Sequence, residues 1–142
     1  MIRVVLDTNV IVSAVLQPLG LPAQVFLRAI GGSIQLCIGG DVYAEYEEIL
    51  RRPRLRRDEN VIAATLHSIR ESGLWVRPMQ VVRACVDPDD DMFVECAQAA
   101  TASYVVTGNV KDFPDSWHDI RIVTPRRFLE IMSGETEPTR HV

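Results

Sequence analysis

Four carboxylates crowd into the five residues from Asp87 to Asp91, in the stretch VDPDDDMF. One acid is enough to cap a helix, since a single side-chain oxygen takes up a free backbone N–H at the helix start. Further carboxylates beside it repel one another unless a cation compensates. Asp89, Asp90 and Asp91 follow a proline, and Phe93, Cys96, Ala97 and Ala100 recur behind them at helical spacing. A helix therefore begins here, with acids at the positive end of its dipole. For any one of these acids a plain cap is the simpler reading. The surplus hints at a metal ion.

Three more acids have a positional argument. Asp7 ends the apolar run Val4-Val5-Leu6 and precedes helically spaced Val10, Ile11, Ala14 and Val15. A strand that ends in an acid and turns into a helix opens an α/β unit, and in such sheets ligands sit beyond the carboxyl ends of the strands. Glu45 falls inside the apolar stripe of Val42, Tyr46 and Ile49, where an ionised carboxylate is costly unless paired or bound to a cation. Asp112 follows the β-branched run Tyr104-Val105-Val106-Thr107 and the break Gly108-Asn109. Asp7, Glu45, Asp91 and Asp112 can thus converge at one edge of a sheet. Hard divalent cations such as Mg²⁺ or Mn²⁺ take oxygen ligands of this kind. Such ions polarise phosphodiesters, activate water and stabilise leaving oxygens. No Ser-His-Asp set, P-loop or dinucleotide glycine motif competes with this reading.

The elements that must position these acids alternate between strand and helix. A helix from Pro22 buries Val25, Phe26, Ala29 and Ile30 and closes at Gly31-Gly32; residues 33–38 read as a strand. Gly39-Gly40-Asp41 opens a helix through Leu50, and Asp58-Glu59-Asn60 caps another ending at Gly73. Leu74 to Val76 with Val81-Val82 supply a third strand, although Pro78 argues against it. The acid-led helix and the strand 104–107 follow, then a last strand over Arg121–Val123 and a helix from Pro125 to Met132. This alternation argues for α/β architecture, a parallel sheet with helices on both faces.

With 142 residues, 1–132 form one domain, and the polar stretch 133–142 is expected to be a loose tail. No apolar run is long enough to span a membrane. Cys37, Cys85 and Cys96 are odd in number and lack disulfide or zinc spacing, so they read as buried thiols in a cytoplasmic protein. A net charge of −4 does not advertise a nucleic-acid binder, yet Arg51, Arg52, Arg54, Arg56 and Arg57 fall within seven residues. A basic rim beside an acidic pocket suits a metal enzyme acting on a polyanion. The alternative is that these arginines solvate a helix end and pair with Glu47 and Glu48. Both readings stay open.

From VVLDTNVIVSAVL through ECAQAATASYVVTGNVKDFP to IVTPRRFLEIM, the chain resembles the PIN domain family of metal-dependent ribonucleases, including VapC-type toxins. The resemblance implies a three-layer α/β/α fold around a mostly parallel sheet of about five strands. Residue by residue, Asp7 matches the first acid of the family's Asp-Thr-Asn motif, Glu45 the second and Asp91 the third. Many relatives carry the fourth acid where Asn109 stands, and others place it as in Asn109-Val110-Lys111-Asp112-Phe113, so the role goes to Asp112. Asn9, Thr107 and Asn109 become supporting polar groups, Glu95 contributes through water, and Asp89 and Asp90 stay caps. The resemblance further implies Mg²⁺ or Mn²⁺, cleavage of single-stranded RNA, a homodimer and, for a type II toxin, a cognate antitoxin. An inactive PIN-fold interaction module is the alternative, motivated by Asn109. A phosphotransfer enzyme with Asp7 phosphorylated would need a second Asp where Asn9 stands.

Overall fold

The computed structural model describes residues 1–134. The tail expected from residue 133 thus lies almost entirely outside the described residues. Strand β1 (Arg3–Leu6) holds Val4, Val5 and Leu6 in the core, and Asp7 caps helix α1 (Thr8–Leu16) by accepting the Asn9 N–H at 3.4 Å. Helix α2 (Leu21–Ile30) carries Pro22 in its first turn, where a missing N–H costs nothing, and buries Ala23, Val25, Phe26 and Ala29. Strand β2 (Gln35–Ile38) leads into α3 (Gly40–Leu50); α4 (Glu59–Ser72) is capped by Asp58, whose carboxylate accepts the Asn60 N–H at 2.7 Å.

The third expected strand survives only as β3 (Leu74–Trp75), paired with Cys37 and Ile38. Beyond it the chain runs without regular structure from Val76 to Val86, and Val81 and Val82 join no strand. A short 3₁₀ turn (Pro88–Asp90) leads into α5 (Asp91–Ala100), followed by β4 (Tyr104–Val106), a turn over Val110–Asp112, β5 (Ser116–Trp117), β6 (Ile120–Val123) and α6 (Pro125–Met132).

Among the described residues the sheet has six strands in the order β3-β2-β1-β4-β6-β5, one more than the expected five or so. The extra strand is β5, the one antiparallel member, which reverses onto β6 with His118 in the left-handed region (φ 54°). Two residues are too short a run for alternation to register in the sequence. All other pairings are parallel.

The chain steps outward from β1 to β2 to β3, then crosses back through α5 to β4 on the other side of β1. Right-handed crossovers therefore put α5 on the face opposite α2 and α4. Helix α5 packs on β1, β2 and β4, while α2 and α4 pack on β2. The strand order switches between β1 and β4, where the crevice of an open α/β sheet forms. Asp7 and Thr107 stand immediately past those two strand ends.

Among the described residues no single helix is long and apolar enough to cross a membrane. All three cysteines are free; Cys37 and Cys96 are buried and Cys85 half-buried. Burial holds the Cys37 thiol up near 11 and the Cys96 thiol at about 12.

Candidate metal centre at the carboxyl edge of the sheet

Parallel pairing of Leu6 with Val106 sets the two strand-ending polar residues side by side. Thr107 is fully buried; its hydroxyl donates to Asp7 Oδ2 at 2.7 Å and accepts the Asn109 N–H at 3.0 Å. Asp7 is only 6% exposed. Burial raises its pKa most, the Thr107 bond works against that, and the charge of Glu45 adds to the rise. Asn9 reaches across to accept the Gly108 N–H at 3.2 Å, tying the start of α1 to the end of β4.

Helix α3 brings the second acid. Val42, Tyr46 and Leu50 face inward, and the buried Tyr46 hydroxyl donates to the Leu6 carbonyl, one residue ahead of Asp7. Glu45 is therefore held over the start of α1, where its Oε2 accepts the Thr8 hydroxyl at 2.6 Å. It is half-buried, at the border of the stripe.

At the start of α5 the acids divide. Asp87 is the cap, accepting the Asp89 N–H at 2.9 Å. Asp91 is 8% exposed, and its Oδ1 accepts two backbone N–H groups, from Ala84 at 3.0 Å and Cys85 at 2.8 Å. One turn on, Glu95 Oε2 accepts the Val82 N–H at 2.9 Å. Asp91 and Glu95 thus pin the irregular segment that crosses α5.

Asp90, expected as a cap, makes no capping hydrogen bond. Its pKa is pushed up to about 6, first by burial and then by the charges of Asp7, Asp87, Asp112 and Glu45. Asp90 therefore shares its surroundings with acids from β1, α3 and the turn after β4. The sequence reading gave Asp90 a capping role alone. The available signal was that Asp87 and Pro88 already make a complete turn start, which leaves Asp90 without a capping task.

Asp112 is half-buried in the turn after β4, and its carbonyl accepts the Val86 N–H at 2.9 Å, closing the end of the irregular segment against the site. Asn109 is exposed and meets the network through its backbone. Of the five arginines, Arg51 pairs with Glu47 at 3.7 Å and with Glu59, and Arg52 pairs with Glu48 at 3.7 Å. Arg54, Arg56 and Arg57 are exposed and carry no ion pair among the described residues.

As they stand, no three His, Cys, Asp or Glu side chains among the described residues close tightly enough to hold an ion. The donor chemistry nonetheless fits a hard divalent cation. The charges acting most strongly on Asp90 are those of carboxylates, and no Lys or Arg pairs with Asp7, Glu45, Asp90 or Asp112 among the described residues. Neighbouring carboxylates that lack a counter-charge attract an oxygen-seeking cation.

The PIN domain family model matches residues 3–111, and the chain belongs to that family, whose members are in general nucleases. The matched span contains Asp7, Glu45, Asp90 and Asp91, and Asp112 lies one residue past it. The chain is 26% identical to uncharacterized protein MJ1680 of Methanocaldococcus jannaschii, over 91% of this chain and 90% of that one. Its fold matches a chain of VapBC2 from Rickettsia felis, solved with a DNA fragment from the promoter, with a TM-score of 0.59 and 14% identity. That match covers 87% of this chain and 98% of the other.

Proposed function

We propose that the chain is a Mg²⁺- or Mn²⁺-dependent endoribonuclease that cuts single-stranded RNA and acts as the toxin of a type II pair. The observation that carries the reading is that the charges of Asp7, Glu45 and Asp112 all act on Asp90 near the switch point of the sheet, with no Lys or Arg ion-paired to any of the four among the described residues. These four acids would hold the ion. Asp91 stands next to them with Oδ2 left for a ligand or a water, since Oδ1 is occupied by Ala84 and Cys85. A bound divalent cation supplies polarisation of the phosphodiester, an acidified water and charge for the leaving oxygen.

The chain's own groups orient the carboxylates. Thr107 fixes Asp7, Thr8 fixes Glu45, and Asn9 holds the turn that carries Asn109 and Asp112. Arg54, Arg56 and Arg57 draw the RNA backbone toward the pocket, and Arg51 and Arg52 join them when RNA displaces their glutamates. The fold shared with VapBC2 supports a cognate antitoxin as partner; a homodimer in the cytoplasm accompanies this reading.

The test is cleavage of a mixed single-stranded RNA by purified protein with Mn²⁺, with Mg²⁺ and with chelator, beside Asp7→Asn. Several kcal/mol of transition-state stabilisation by the ion correspond to a loss on the order of a hundredfold or more in the variant. Cleavage that persists undiminished in chelator or in Asp7→Asn refutes the proposal. The second reading, an inactive interaction module, rests on Asn109 at the usual acid position. It would be favoured by a protein that neither cuts RNA nor binds Mn²⁺.

A further inference from the structure

Between the start of α3, the irregular segment after β3 and the outer face of α5 runs an open groove of about 690 Å³. Trp75, Arg77, Met79 and Val81 border it, and it shares Val81, Met92 and Glu95 with a second hollow of about 520 Å³ that reaches Asp89 and Asp91. Through these shared residues the groove continues toward the start of α5. Its wall is unusually apolar for a surface: Trp75 is 47% exposed, Met79 85% and Val81 79%.

The indole is exposed but not loose. Trp75 Nε1 donates to the Arg70 carbonyl at 3.4 Å, and the ring packs against Tyr43 at 5.4 Å between centroids with a 53° tilt. Arg70 in turn donates to the Tyr43 hydroxyl and lies 5.9 Å from the Tyr43 ring centre. Arg77 lines the same groove as Trp75. Aromatic rings that are held in place and flanked by arginines are what single-stranded nucleic acids bind, bases on the rings and phosphates on the cations. Two acids, Glu95 and Asp41, also line the groove. Glu95 is occupied by the Val82 N–H, and Asp41 sits in the first turn of α3, where the helix dipole offsets its charge.

We infer that Trp75, held by Tyr43 and flanked by Arg70 and Arg77, is a stacking platform for an unpaired base of an RNA strand that runs along this groove toward the start of α5. The inference rests on the ribonuclease reading and extends it. It makes the enzyme selective for unpaired RNA through a contact outside the metal centre.

The experiment separates the two. Trp117→Phe leaves Trp75 as the only tryptophan, and its fluorescence is followed while a short single-stranded oligoribonucleotide is added in EDTA, where nothing is cut. Saturable quenching is expected, with none from the same sequence as a duplex. In the otherwise unchanged protein, Trp75→Ala weakens RNA binding about tenfold and Trp75→Phe restores most of it. Arg77→Ala lowers the salt dependence of binding by about one phosphate contact. Circular dichroism checks that each variant is folded.

Undiminished RNA affinity in Trp75→Ala, or equal quenching by duplex, overturns the inference and leaves this face to a protein partner. If the wild type still cuts RNA with Mn²⁺ in that case, the ribonuclease reading survives alone. A wild type that neither binds nor cuts RNA overturns both.

Discussion

At the N-terminus of α5 two adjacent carboxylates meet different surroundings. Asp91 gives one oxygen to the N–H groups of Ala84 and Cys85, whereas Asp90 has no cap bond and feels the charges of Asp7, Asp112 and Glu45. The two therefore respond differently to loss of charge. Asp90→Asn is expected to weaken Mn²⁺ binding and reduce cleavage on the order of a hundredfold or more, as for a direct ligand. Asp91→Asn keeps an acceptor oxygen for the two N–H groups and should lose about tenfold, as for a group that supports a ligand. A Mn²⁺ titration followed by electron paramagnetic resonance, with single-turnover cleavage of RNA, ranks the pair. The reverse ranking would return the ligand role to Asp91.

The elements bring these residues together through a few close contacts. Gly73, between α4 and β3, lies against Ile38 of β2: a Cβ there would come within 2.1 Å of Ile38 Cδ1 and 3.0 Å of the Ile69 carbonyl. Ile38 is fully buried and has little room to yield. Gly73→Ala is thus expected to cost about 1–3 kcal/mol, the range for overpacking a core. Urea unfolding of the variant measures it through a lowered midpoint at unchanged slope. A wild-type midpoint would mean that the α4–β3 junction is looser than its geometry. The neighbouring segment from Val76 to Val86 depends instead on side-chain acceptors, Glu95 for Val82 and Asp91 for Ala84 and Cys85.

For the whole molecule, the shared acidic centre makes stability depend on pH and on the cation together. The Asp90 pKa is raised from 3.8 to about 6, so the folded state binds a proton more readily than the unfolded chain. Asp7 shifts in the same direction. Stability from this source is fully present below 3.8 and is lost as pH rises through about 6. The metal-free protein should therefore lose the Asp90 contribution as pH rises from 3.8 through about 6, seen as a falling Tm over the upper part of that window. Mn²⁺ should reverse the trend, because a bound cation holds the carboxylates ionised and stabilises the native state that binds it. A metal-free Tm indifferent to pH over this range, with no rise on adding Mn²⁺, would show that the acids do not act as one centre.

Much of this protein is legible in chain order. The buried runs Val4–Leu6 and Tyr104–Val106, the stripes of α2 and α4, the caps Asp7 and Asp58 and the closing prolines specify an α/β sheet with acids at its carboxyl edge. Asp7, Glu45 and Asp112 stand out in the sequence that way, since each interrupts or ends an apolar pattern. Two-residue strands escape such a reading: β5 has no period to detect, and β3 is set by its neighbour β2. Only the tertiary structure separates Asp90 from Asp91, assigns Glu95 to the Val82 N–H and places Trp75 on the border of a groove. The reason is geometric. Consecutive residues at a helix start point about 100° apart, and which of them meets a cluster depends on chain that lies dozens of residues away.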